Sequence, residues 1–159
     1  MMKKLASFFG AVSVLIVASV AGSISNKIGR AMATPSKPTA QEIEQKVIEA
    51  FEKAARQVNR DTPIMVDENT RMDRATVGPG ARITYHYTFP NHNSRNIDLS
   101  WLHQNLRPVV INQVCSNKDM GLSLQYGGIY AYSYSGNDGA QIESFEIDQN
   151  VCGFQKVTP

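Results

Sequence analysis

The chain has 159 residues, 42% of them hydrophobic and 19% charged. That is room for one domain and a short extra segment, which excludes a multidomain enzyme, and the composition is neither disordered nor collagenous. The formal charge of +2 is unevenly placed: residues 1–38 hold Lys3, Lys4, Lys27, Arg30 and Lys37 and no acids, so the remainder sets 11 basic against 14 acidic side chains, a balance of −3. That balance gives no support to a nucleic-acid partner.

Lys3 and Lys4 precede residues 5–25, which carry no charge. A cleaved signal peptide has an apolar region of about 7–15 residues and a spanning helix needs roughly 20, so the length favours a retained anchor. Ser19-Val20-Ala21 and Ala31-Met32-Ala33 offer small residues at a peptidase spacing and keep cleavage open. Residues 1–26 are therefore expected to be a signal peptide or transmembrane anchor. The amino-terminal lysines would stay in the cytoplasm. This predicts a single-pass inner-membrane protein with its carboxy-terminal domain in the periplasm, or a soluble periplasmic protein after cleavage. Pro35 and Pro38 stiffen the stretch TPSKP, so residues 27–38 read as a linker and 39–159 as the extracytoplasmic domain.

Thr39-Ala40-Gln41-Glu42 is a capping-box sequence, and Ile43, Val47, Ile48, Phe51, Ala54, Ala55 and Val58 then recur at helical spacing. A helix over residues 42–59 with one buried face is predicted. Shorter apolar pieces follow at 64–66 and 70–77, then a Gly78-Pro79-Gly80 turn. In RITYHYTF, residues 82–89, Ile83, Tyr85, Tyr87 and Phe89 alternate with polar side chains, the pattern of a strand with one buried face. Asp98 can cap a helix carrying Leu99, Leu102 and Leu106, and Pro108 predicts a kink or restart before a buried segment with Val109, Val110, Ile111, Val114 and Cys115. A short helix is predicted at 118–125. Residues 129–135 and 141–148, joined by Gly136-Asn137-Asp138-Gly139, read as a β-hairpin. Helix, strands, helix and strand pair predict an α+β domain, with helices packed on one face of an antiparallel sheet.

The chemistry-bearing residues are few. Cys115 and Cys152, in a domain expected to be exported, predict one disulfide, with a redox or metal pair as the competing reading despite the lack of a CxxC spacing. His86, His92 and His103 form no HxH or HExxH cluster, so neither a metal nor another cofactor is implied. Neither a GxSxG elbow nor an SxxK motif marks a nucleophile, and the glycine pairs lack phosphate-binding contexts. Asp67, Glu68 and Asp73, near Arg71 and Arg74, read as a solvated or ion-paired turn. Tyr85, Tyr87 and Phe89 are expected in the core. Tyr130, Tyr132 and Tyr134 are a candidate binding face for glycan or peptide if exposed, and core if buried.

The strings TPIMVDENTRMD, GPGARITYHYTF, LRPVVINQVC and YAYSYSGNDG, with the amino-terminal apolar run and the cysteine near the end, resemble a group of small exported or inner-membrane-anchored proteins of Gram-negative bacteria that carry no assigned activity. The resemblance implies an extracytoplasmic α+β domain with a Cys115–Cys152 bond and brings no catalytic residues. The function expected is non-catalytic: an envelope protein, held to the inner membrane through residues 5–25, that contacts another envelope protein. A ligand-binding module using the tyrosine face is the alternative, and a hydrolase-type enzyme a distant third.

Overall fold

The computed structural model describes residues 37–157. The expected anchor or signal and all but the end of the linker lie outside them. Among the described residues no helix is long and apolar enough to cross a membrane.

Helix α1 (Ala40–Asp61) begins with the predicted capping box. The Glu42 N–H donates to the Thr39 hydroxyl and the Thr39 N–H to the Glu42 carboxylate, and these hydrogen bonds hold that carboxyl below its usual range. Ile43, Val47, Phe51, Ala54, Ala55 and Val58 are its buried face. Strands β1 (Ile64–Met65), β2 (Arg71–Val77) and β3 (Arg82–Phe89) follow as an antiparallel meander. The chain then crosses over through α2 (Leu99–Trp101), a π-helical segment (Leu102–Leu106), α3 (Arg107–Ser116) and α4 (Lys118–Gln125). It closes with the hairpin β4 (Ile129–Gly136) and β5 (Gln141–Ile147).

The interruption expected at Pro108 takes a specific form. Proline has no N–H to give to a carbonyl one turn back, and the ladder shifts so that the Arg107 N–H donates to the carbonyl of Leu102. The wider turn keeps four-residue spacing in phase, and Leu102, Leu106, Val110 and Val114 all reach the core. Val109, expected among the buried residues, is instead 36% exposed.

The five strands lie in the order β1-β2-β3-β4-β5. The expectation of an antiparallel sheet is corrected at its centre: β3 and β4 run parallel, with Tyr85 beside Tyr132 and Tyr87 beside Tyr134. Alternating side chains look the same in either direction, so the pattern alone does not orient a strand. The helical crossover does, by returning the chain to the end of the sheet where β3 began.

One sheet face carries Ile83, Tyr85, Tyr87, Phe89, Tyr130, Tyr132, Tyr134, Phe145 and Ile147, all buried. Their rings form a continuous stack: Tyr87 lies 5.2 Å from Tyr134, Phe89 5.7 Å from Tyr134, and Tyr132 5.6 Å from Phe145. Phe51 of α1 meets Tyr130 edge-on at 5.1 Å, which places the helix layer over this face. Gly136 ends β4 where the 94–96 turn presses on it. A Cβ there would collide with the Ser94 nitrogen and stand 2.6 Å from Asp138 Oδ1. Gly136→Ala is therefore expected to lower the unfolding free energy by about 2–3 kcal/mol, read as a lower urea midpoint with an unchanged slope.

Candidate functional site

Tyr130, Tyr132 and Tyr134 are 4%, 6% and 3% exposed. Of the two alternatives, binding face or core, burial selects the core: these rings lie between sheet and helices. Burial raises the phenol pKa of Tyr85, Tyr87, Tyr132 and Tyr134 and takes Tyr130 to about 12, where a hydrogen bond with Ser123 offsets part of the rise. The Tyr85 hydroxyl finds no hydrogen-bond partner among the described residues.

Away from the helix layer lie the opposite sheet face and the two sheet edges. By alternation, the open face carries Thr84, His86 and Thr88 of β3 beside Ala131, Ser133 and Ser135 of β4. His86 lies 2.9 Å from the Thr76 hydroxyl. Burial, and then the charge of Arg74, lower its pKa, with Asp73 opposing. Asp73 accepts from Arg71 Nε and from the Thr88 hydroxyl, both at 2.6 Å, so part of the predicted acidic turn is ion-paired. Arg82 reaches diagonally over β4 to Glu146 at 3.0 Å. The small side chain of Ala131 leaves room for that reach.

The edges differ. At the β2 edge, β1 pairs only with Met72 and Arg71, and the Asn59 side chain continues where β1 stops. Its amide donates to the Ala75 carbonyl at 2.8 Å and accepts from the Ala75 N–H at 2.7 Å. This mimics a strand pair at Ala75, so β1 and the amide together cover Arg71, Met72 and Ala75 of that edge. At the other edge, the outer backbone groups of β5 meet no backbone partner among the described residues. Above β5 runs the crossover helix: His103 Nε2 bonds to Glu143, and the Arg107 guanidinium sits 5.3 Å over the Phe145 ring. Beyond β5, Cys152 is bonded to Cys115 at the end of α3, with the Cα atoms 5.3 Å apart.

His103 and Glu143 are the one histidine–carboxylate ion pair among the described residues. A nucleophilic site would need a hydroxyl or thiol on the other side of the imidazole. Among the described residues the hydrogen bond of His103 runs to the carboxylate, and both cysteines are in the disulfide. Among the described residues no group of three or more His, Cys, Asp or Glu converges on a metal position. The pair thus fastens helix to sheet edge. Sequence reasoning missed it, as it missed the Asn59 clamp, because each joins residues far apart in the chain.

No known protein family matches the chain, and no curated protein sequence does. The fold, however, is that of a recognisable class of small two-layer domains with solved structures. A crystal structure described as a "putative secreted protein" of Pseudomonas aeruginosa superposes with a TM-score of 0.60 at 20% identity, over 69% of this chain and 96% of that one. The pilotin EpsS of the Vibrio vulnificus type 2 secretion system gives 0.59 at 14% identity, over 70% and 96%. The type II secretion pilotin AspS of Vibrio cholerae gives 0.55 at 15% identity, over 70% and 97%. The shared part is thus nearly the whole of each neighbour.

Proposed function

We propose that the protein is a non-catalytic component of the Gram-negative cell envelope, whose domain, residues 39–159, acts in the manner of a pilotin by binding another protein of a secretion assembly. The observation that carries this reading is the near-complete coverage of two type II secretion pilotins by a domain with no assembled catalytic constellation among its described residues. The basic–apolar start of the chain supports export. Residues 1–26 serve as the export signal or membrane anchor and 27–38 as the tether, so the domain works on the far side of the inner membrane.

The test is in-cell crosslinking of the tagged full-length chain in its own bacterium, with mass spectrometry of the attached proteins and of the mature amino terminus. A single reproducible partner belonging to a secretion assembly is expected, together with a loss of secreted proteins when the gene is deleted. Unchanged secretion on deletion, with no protein partner under any solubilisation, would remove the proposal. An intact Met1 or Met2 would establish the anchored form, and an amino terminus near Gly22 or Thr34 the released one.

A further inference from the structure

We infer that β5 is the seam of a symmetric dimer, in which two copies of the chain pair antiparallel along this edge about a two-fold axis at Ser144 and join two five-stranded sheets into one. The inference is independent of the envelope partner proposed above. Three observations carry it.

The first is the asymmetry of the edges. The β2 edge is covered at Arg71, Met72 and Ala75 by β1 and the Asn59 amide, whereas β5 leaves its outer N–H and C=O groups without a backbone partner among the described residues along its whole length. A free edge of this length templates another strand, and a two-fold axis closes the assembly after one addition. β5 carries no lysine or proline to block it, and its one bulge, at Ile142, leaves Glu143–Ile147 regular.

Charge is the second. Arg107 sits over Phe145 with no carboxylate in ion-pair range among the described residues. With the axis at Ser144, Phe145 stands opposite the partner's Glu143, and the unpaired guanidinium then lies beside a carboxylate. Symmetry makes that contact twice. No carboxylate is forced against another, because each Glu143 faces the partner's Phe145 and each Glu146 meets the partner's bulge at Ile142.

The third is apolar. Leu99 lies one turn before His103, at the Glu143 end of the seam, and is 48% exposed. Val151, 45% exposed, adjoins Cys152 at the other end. Antiparallel pairing brings each Leu99 to the end of the seam that holds the partner's Val151. One strand's length of contact is small beside a standard interface of about 800 Å² per partner, so the dimer is expected to dissociate in the range of about 1–10 μM.

The test uses full-length protein in detergent at about 100 μM, well above that range. Ser144→Cys, at an exposed position, is expected to give a covalent dimer on mild oxidation, since paired antiparallel residues hold their Cβ atoms about 4.5–5.5 Å apart. Thr84→Cys, on the open face, is expected to remain monomeric. Adding Arg107→Glu to Ser144→Cys is expected to weaken association about 100-fold, because the two-fold repeats the loss. Adding Glu143→Arg as well is expected to restore the cross-link. Arg107→Glu leaves the His103–Glu143 pair in place, so that variant decides the matter even if Glu143→Arg does not fold. Absence of a Ser144→Cys cross-link, equal cross-linking through Thr84→Cys, or a cross-link insensitive to Arg107→Glu would each overturn the inference. The site-specific readout also separates this seam from any association of the apolar run at residues 5–25.

Discussion

Above pH 10 the domain is expected to unfold in one steep step, with tyrosinate absorbance and loss of circular dichroism rising together. Five of the six tyrosines are in the core, and burial raises each of their phenol pKa values above the ordinary 10.0. The unfolded chain releases those protons near pH 10 while the folded one retains them, so the stability these groups contribute is whole below pH 10 and is lost as pH rises through the folded values. One pH unit is worth about 1.4 kcal/mol per group, so five groups remove about 5–7 kcal/mol by pH 11. A domain of ordinary stability, about 5–15 kcal/mol, reaches its midpoint between about pH 11 and 12. Independent ionisation near pH 10 with circular dichroism intact would show that the rings are accessible and the core is misassigned.

Single tyrosine-to-phenylalanine changes refine that expectation. Tyr85→Phe removes a hydroxyl that no group among the described residues satisfies, and is expected to leave stability at neutral pH unchanged or raise it by about 1 kcal/mol. It also removes one titrating group and moves the alkaline midpoint upward. Tyr130→Phe breaks a hydrogen bond with Ser123 and is expected to cost about 1 kcal/mol at neutral pH. Opposite signs from the same chemical change would distinguish a satisfied buried phenol from an unsatisfied one.

The core was largely legible because it is periodic. Helix α1, strand β3 and the β4–β5 hairpin each repeat one buried face along a contiguous run, and the capping box at Thr39 marks a boundary with four residues. The burial of Tyr130, Tyr132 and Tyr134 was not legible. Alternation places them on one face and says nothing of what covers it, and that depended on the crossover helices arriving on the same side as α1. The parallel pairing of β3 and β4 was hidden for the same reason. The surfaces were the least legible. An edge becomes an edge only when the strand order is fixed, so neither the Asn59 clamp on Ala75 nor the His103–Glu143 pair, 40 residues apart, leaves a local signature.

The disulfide joins these levels, and its removal has the second largest expected effect. Cys115 and Cys152 close a span of 37 residues, for which the chain-entropy model gives about 3–4 kcal/mol. The double change Cys115→Ser with Cys152→Ser is expected to lower the unfolding free energy by that amount, read from urea denaturation, and reduction of the native protein should reproduce it. The bond ties the end of the crossover helix to the segment just beyond β5. The same segment packs Phe154 near Gly121 and donates the Val157 N–H to Gln125 at 2.9 Å. Hydrogen exchange in the variant is therefore expected to accelerate first at Val157 and along α3, and last in the stacked core of β3 and β4. An unchanged urea midpoint would mean that Val110 and Val114 hold the crossover helix by packing alone. A disulfide of this kind persists in oxidising compartments and is kept reduced in the cytosol. In a reducing compartment the domain thus lacks about 3–4 kcal/mol of its disulfide-bonded stability, and it is firm only where the bond can form.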